Sequence, residues 1–120
     1  MHRELRQLYE DSNLMLKKAL ANVGITKYYG QQCMQGYILT EDDKNEIALL
    51  LEEASNIAEH LPWIHLGNLL VEIASAYTFF QNKTMAKLTL QRFESLGLSE
   101  KNCDLYQQKQ LEDLRLEYNH

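Results

Sequence analysis

Residues 70–98, LVEIASAYTFFQNKTMAKLTLQRFESLGL, decide the fold. Leu70, Ile73, Ala74, Tyr77 and Phe80 recur at steps of three and four, which places them on one face of a helix. Gln81-Asn82-Lys83 interrupts the pattern with a short polar turn. Met85, Ala86, Leu90, Phe93 and Leu96 then resume it, and Gly97 closes it, since glycine accepts the positive φ of a helix terminus without cost. Two helices joined by so short a connection lie antiparallel. Alanines at Ala74 and Ala86 let the two approach closely.

Working back toward the N-terminus, Pro62 ends one helix and opens the next, where its missing N–H is an orphan anyway. The helix before it is strongly marked. Thr40 precedes Glu41, Asp42 and Asp43: the hydroxyl can accept from the Asp43 N–H, and the carboxylates favour the positive end of the helix. Ile47, Leu50, Leu51, Ala54, Ile57, Ala58 and Leu61 form its apolar face. Further back, Leu5, Leu8, Tyr9, Met15, Leu16, Ala19 and Val23 mark an N-terminal helix that Gly24 is expected to stop. Residues 26–39 carry Tyr28, Tyr29, Cys33, Met34 and Tyr37 but also Gly30 and Gly36, and read as a weak or short helix. After Gly97, Ser99 is positioned to cap a last helix carrying Cys103, Tyr106, Leu111, Leu114 and Tyr118. The predicted helices are residues 3–22, 41–61, 63–81, 83–96 and 100–118. No alternating pattern calls for a strand. The expectation is one all-α domain over residues 1–120, with five to six helices in antiparallel hairpins, stacked in an array or closed into a bundle.

Composition bounds the function. Apolar residues make up 45% and charged residues 24%, ordinary globular usage, so a buried core is affordable for 120 residues. A net charge of −5 opposes binding to a phosphate backbone, and nucleic acid is not expected as a partner. Cys33 and Cys103 stand far apart without CxxC or Cys/His spacing and read as reduced thiols. The charged N-terminal stretch lacks the apolar centre of a signal peptide, and no window has the ~20 apolar residues of a membrane span. A cytoplasmic protein is expected. Asn82-Lys83-Thr84 matches a glycosylation sequon but reads more simply as a turn between helices.

Motifs of chemistry are missing. No Gly-x-Ser-x-Gly, P-loop or other glycine-rich phosphate loop occurs, and Cys33 has no evident base partner. His60 and His65 bracket a helix break, and Glu117-x-x-His120 has no twin, so no metal site is expected. Glu41-Asp42-Asp43 lacks the alternation of a calcium loop. Neither catalytic residues nor a cofactor are predicted. The aromatics are the remaining signal. Phe79 lies about 100° from Phe80 and off the core stripe. Tyr37, Tyr77 and Phe79 are the candidate partner-binding residues. Trp63 either anchors a partner or staples the helix junction.

The register of Leu70, Ala74, Tyr77, Ala86, Leu90 and Phe93 resembles one tetratricopeptide repeat, about a quarter of the chain. Shifting its second half back lands on Ala54, Ala58 and Leu61, a fainter unit. Residues 53–61 (EASNIAEHL), the leucine-rich helix after them, and Asn82 with Ala86 are similar to the tetratricopeptide-like subunits of bacterial type III secretion needle chaperones. That resemblance implies a non-enzymatic chaperone, acting with a small co-chaperone, that masks an apolar helix of the needle subunit. Burying ~500 Å² of apolar surface would contribute about 12 kcal/mol before the costs of association. The alternative is a homo-oligomeric structural or regulatory protein whose stripes close a dimer.

Overall fold

A computed structural model describes the backbone of residues 2–118 and the side chains of residues 11–62 and 65–118. Five α-helices account for most of it: α1 (His2–Met34), α2 (Glu41–Ala58), α3 (Trp63–Phe79), α4 (Lys83–Ser95) and α5 (Leu105–Tyr118), with a 3-10 turn at Glu100–Asn102. No strand occurs among the described residues. The chain is all-α, as the periodicities require. At about 50 Å, the 33-residue α1 accounts for the long axis of a 53 × 34 × 23 Å molecule.

The helix starts follow local chemistry. Thr40 Oγ1 accepts from the Asp43 N–H (3.1 Å), and Asp43 Oδ2 accepts from the Thr40 N–H (3.0 Å), a complete capping box at the head of α2. Pro62 immediately precedes α3. Asn82 caps α4, its Oδ1 accepting from the Met85 N–H (3.2 Å), so the sequon asparagine does serve as a turn. The stop at Gly97 (φ +76°) is a Schellman motif: Leu98 N–H donates to Phe93 C=O and Gly97 N–H to Glu94 C=O.

Two boundaries differ from expectation. Helix α1 does not stop at Gly24 but continues through Gly24 and Gly30, absorbing most of the weak segment. An exposed mid-helix glycine costs only about 1 kcal/mol, less than the packing of Thr26 and Tyr29 in the turns beyond it returns. Thr26 satisfies its own hydroxyl on Val23 C=O (2.7 Å). Helix α1 stops instead at Gly36 (φ +98°), again in a Schellman motif, with Tyr37 N–H donating to Gln32 C=O (2.9 Å). The last helix is the second correction. Residues 100–118 are split because Ser99 caps only the 3-10 turn, its N–H donating to Asn102 Oδ1 (2.9 Å). The chain is then pinned to α3 at Asp104, whose N–H donates to Asn68 Oδ1 (2.8 Å) while Asn68 Nδ2 donates back to its carboxylate (3.0 Å). Gly67 makes that approach possible: a Cβ there would stand 2.2 Å from the Asn102 carbonyl oxygen. A smaller difference is at α2, which ends at Ala58 rather than Leu61.

Side-chain pairs give the directions of the helices. Lys18 with Glu53, Asn22 with Leu50 and Glu53, Tyr29 with Glu46, and Tyr37 with Asp43 ascend α1 while descending α2, so the two are antiparallel. Asn68 with Asp104, Glu72 with Gln107 and Thr78 with Tyr118 ascend together, so α3 and α5 are parallel. Lys27 with Glu72 and Gly30 with Phe79 show the same for α1 and α3. Hairpins α1/α2 and α3/α4 therefore stack, with α1, α3 and α5 side by side in one layer. Helix α3 packs against every other helix. Accordingly Leu69, Leu70, Val71, Ile73, Ala74, Ala76 and Tyr77 are all buried, which is why its sequence is apolar around most of its circumference.

Candidate protein-binding groove

The outer surface of the α1/α3/α5 layer is grooved. One part of it, about 350 Å³, lies between the C-terminal half of α1, the C-terminal half of α3 and the start of α5. Thr26 and Gly30 from α1 and Glu72 and Ala76 from α3 are buried along it. Its apolar walls are exposed: Met34 is 80% accessible, Tyr106 63% and Phe79 48%. The Phe79 ring packs edge-on against Phe80, centroids 5.1 Å apart, and rests over Gly30, where an added Cβ would stand 3.0 Å from the ring. Glycine at position 30 thus gives the ring its seat.

A charge lies in the middle of this surface. Glu72 is 4% exposed, with Lys27 Nζ 2.5 Å from Oε2 and Gln107 Nε2 donating to Oε1 (2.9 Å). Burial of a carboxylate is tolerated only with such partners. Lys27 also sits 5.5 Å from the centroid of the Tyr106 ring, so one half-exposed ammonium bridges all three helices of the layer. Beyond Glu72 a second groove, of about 340 Å³, continues past Leu20, His65 and Asp104, and at the other end Asp113 and Glu117 border a third depression beside Phe79.

The three residues expected to bind a partner occupy different places. Phe79 lines the groove, half exposed. Tyr77, two positions away and so about 200° around the helix, is 4% exposed and belongs to the core, its hydroxyl bonded toward Ser55 of α2 and its ionisation pushed up by burial. Tyr37 is exposed in the α1–α2 loop, its hydroxyl donating to Asp43 (2.7 Å), a bond that raises the phenol's pKa. It buttresses the α2 capping box and does not line the groove. Trp63 has its side chain outside the described residues, as do Leu5, Leu8 and Tyr9, and His120 is not described at all.

Met34, Glu72, Tyr106 and Gln110 were not singled out as site residues from sequence. Glu72 did leave a signal, being the sole Asp, Glu, Lys or Arg within α3. Met34 and Tyr106 left none, because each joins the groove only through the packing of its helix.

Cys33 and Cys103 are free thiols, and burial pushes the Cys103 thiol up, away from the thiolate. Among the described residues no three His, Cys, Asp or Glu side chains are grouped to hold a metal ion, and no helix is long and apolar enough to cross a membrane. No protein-family model, curated protein sequence or solved structure matches the chain.

Proposed function

We propose that the chain is a non-enzymatic protein-binding module whose α1/α3/α5 groove holds an apolar helical segment of another protein. The observation that carries this is the exposed cluster of Met34, Phe79 and Tyr106 around one groove. Methionine and aromatic side chains are enriched where proteins recognise each other, and large apolar groups left in water on a built concavity favour a partner that covers them. Stacked hairpins with their first helices in a common layer also suit the tetratricopeptide resemblance. Together with the likeness of residues 53–61 to needle chaperones, this makes a cytoplasmic bacterial chaperone for a type III secretion needle subunit, assisted by a small co-chaperone, the leading form of the proposal.

The test is co-expression with a needle subunit. The wild-type chain is expected to keep the subunit soluble in a stoichiometric complex. Phe79→Ser combined with Met34→Ser should abolish that complex without loss of helicity by circular dichroism, since both side chains are exposed. Tyr77 is unsuitable for this test, because replacing it opens the core. A complex that survives the double substitution would overturn the groove assignment. A chain that forms a stable dimer by light scattering and ignores the subunit would favour the homo-oligomeric alternative.

A further inference from the structure

The groove is apolar at Met34 and Phe79 but polar at its centre. Glu72 presents a buried carboxylate there. Two amide oxygens from α5, Gln107 Oε1 and Gln110 Oε1, are also buried and accept no hydrogen bond. Being three residues apart, they lie on the same face of α5. Gln110 lines the first groove and Gln107 the second, with Glu72 and Lys27 lining both. A buried acceptor left unpaired is costly, so an array of them beside a carboxylate calls for a ligand rich in donors. Lys27 supplies one cation but cannot serve all three groups. Its ammonium is a point charge on a half-exposed flexible stem, already shared with the Tyr106 ring. Around this centre, Asp104, Asp113 and Glu117, the last within 3.9 Å of Lys83, add carboxylates to the groove lining, where Lys27 is the only lysine or arginine among the described residues.

We infer that the groove's occupant is a helix carrying an arginine beside its apolar anchor. The guanidinium takes over Glu72 from Lys27 and donates to Gln107 and Gln110, while the apolar neighbour covers Phe79. A planar fork of five N–H donors matches a carboxylate and nearby amide oxygens in a way an ammonium does not. Lys27 is then a placeholder: it neutralises Glu72 while the groove is empty and swings into solvent, or onto Tyr106, when the partner arrives. This rests on the groove reading above and adds the chemistry of the occupant.

The probe is a synthetic amphipathic leucine-alanine helix as long as α3, bearing one arginine on the border of its apolar face, with a twin carrying citrulline in its place. Citrulline keeps the shape and loses the charge. Fluorescence anisotropy with the full chain should give the arginine peptide an affinity higher by about tenfold or more, as expected for a charge-assisted contact out of water. Glu72→Gln should bring the ratio to about one, and Lys27→Ala should strengthen the arginine peptide alone by removing its competitor. Thermal melts identify any variant that fails to fold, and if Glu72→Gln does, the Lys27→Ala ratio decides. Equal binding of the two peptides, abolished by Phe79→Ser, would overturn the arginine while leaving the groove as a binding site. If neither peptide binds, both readings fall. A groove covered by a second copy of the chain, seen as a dimer that Phe79→Ser dissociates, would also overturn it.

Discussion

The two hairpins are built on different physics. The α3/α4 pair is apolar: Leu70, Ile73, Ala74 and Tyr77 on one helix and Ala86, Leu90 and Phe93 on the other are all nearly inaccessible. The α1/α2 pair is linked by polar groups along its length. Asn22 Nδ2 donates to Leu50 C=O (3.2 Å) and to Glu53 (3.0 Å), Lys18 reaches the same carboxylate, Tyr29 donates to Glu46 and Tyr37 to Asp43. Apolar packing is indifferent to pH but unforgiving of volume. Polar linkage tolerates changes of volume but depends on protonation. The second hairpin is therefore held by volume, while the first adds polar links to a buried core of Ala19, Val23, Ile47, Leu51 and Ala54, and these fix how α1 lies against the groove.

Removing volume from the second hairpin is the most damaging way to probe this contrast. Phe93→Ala, at a side chain 1% exposed, is expected to cost about 3–5 kcal/mol, read from denaturant midpoints. A loss below about 1 kcal/mol, the size of a simple surface change, would mean that the α3/α4 seam is not held by close packing. Within the first hairpin, Asn22→Ala removes both the contact to Leu50 and the one to Glu53 and should cost about 1–2 kcal/mol. A double-mutant cycle with Glu53→Gln separates the ionic share.

The smallest effect is one of pH, and it should fall on one hairpin. Hydrogen bonds from the Thr40 backbone and from Tyr37 hold Asp43 below its usual pKa, and the Asn22 amide does the same for Glu53. Groups whose pKa is lowered by folding contribute stability above the ordinary carboxylate range and lose it as pH falls through their folded values. Amide hydrogen exchange should therefore show α1 and α2 loosening as pH falls below the ordinary carboxylate range, before α3 and α4. At the alkaline end, the hydrogen bond to Glu46 pushes Tyr29 from 10.0 up to about 12. Its contribution is intact below the ordinary phenol value and fades between the two. Tyrosinate absorbance should show a late-titrating residue that Tyr29→Phe removes. Equal loosening of both hairpins in acid would dissolve the distinction drawn between them.

Much of the fold is legible residue by residue. Thr40, Pro62, Asn82 and Gly97 each mark a helix end through a bond or a φ angle set within a few positions, and the apolar spacings mark the helices between them. Gly24 misled because a glycine is only a weak stop: whether a helix passes through depends on what its next turn buries. The apparent weakness of residues 26–39 has the same origin, since Gly30 is there to seat Phe79 and not to break the helix.

Helical class, most helix ends and the strongly apolar character of α3 are written in the chain, because capping and periodicity are local. Packing between distant segments sets the rest: α1, α3 and α5 run parallel in one layer, Tyr77 faces inward while Phe79 faces out, and Met34, Glu72 and Tyr106 meet at one groove. An element apolar around most of its circumference has no face that its own sequence can name. The helices packed around α3 assign its faces, and they come from opposite ends of the chain.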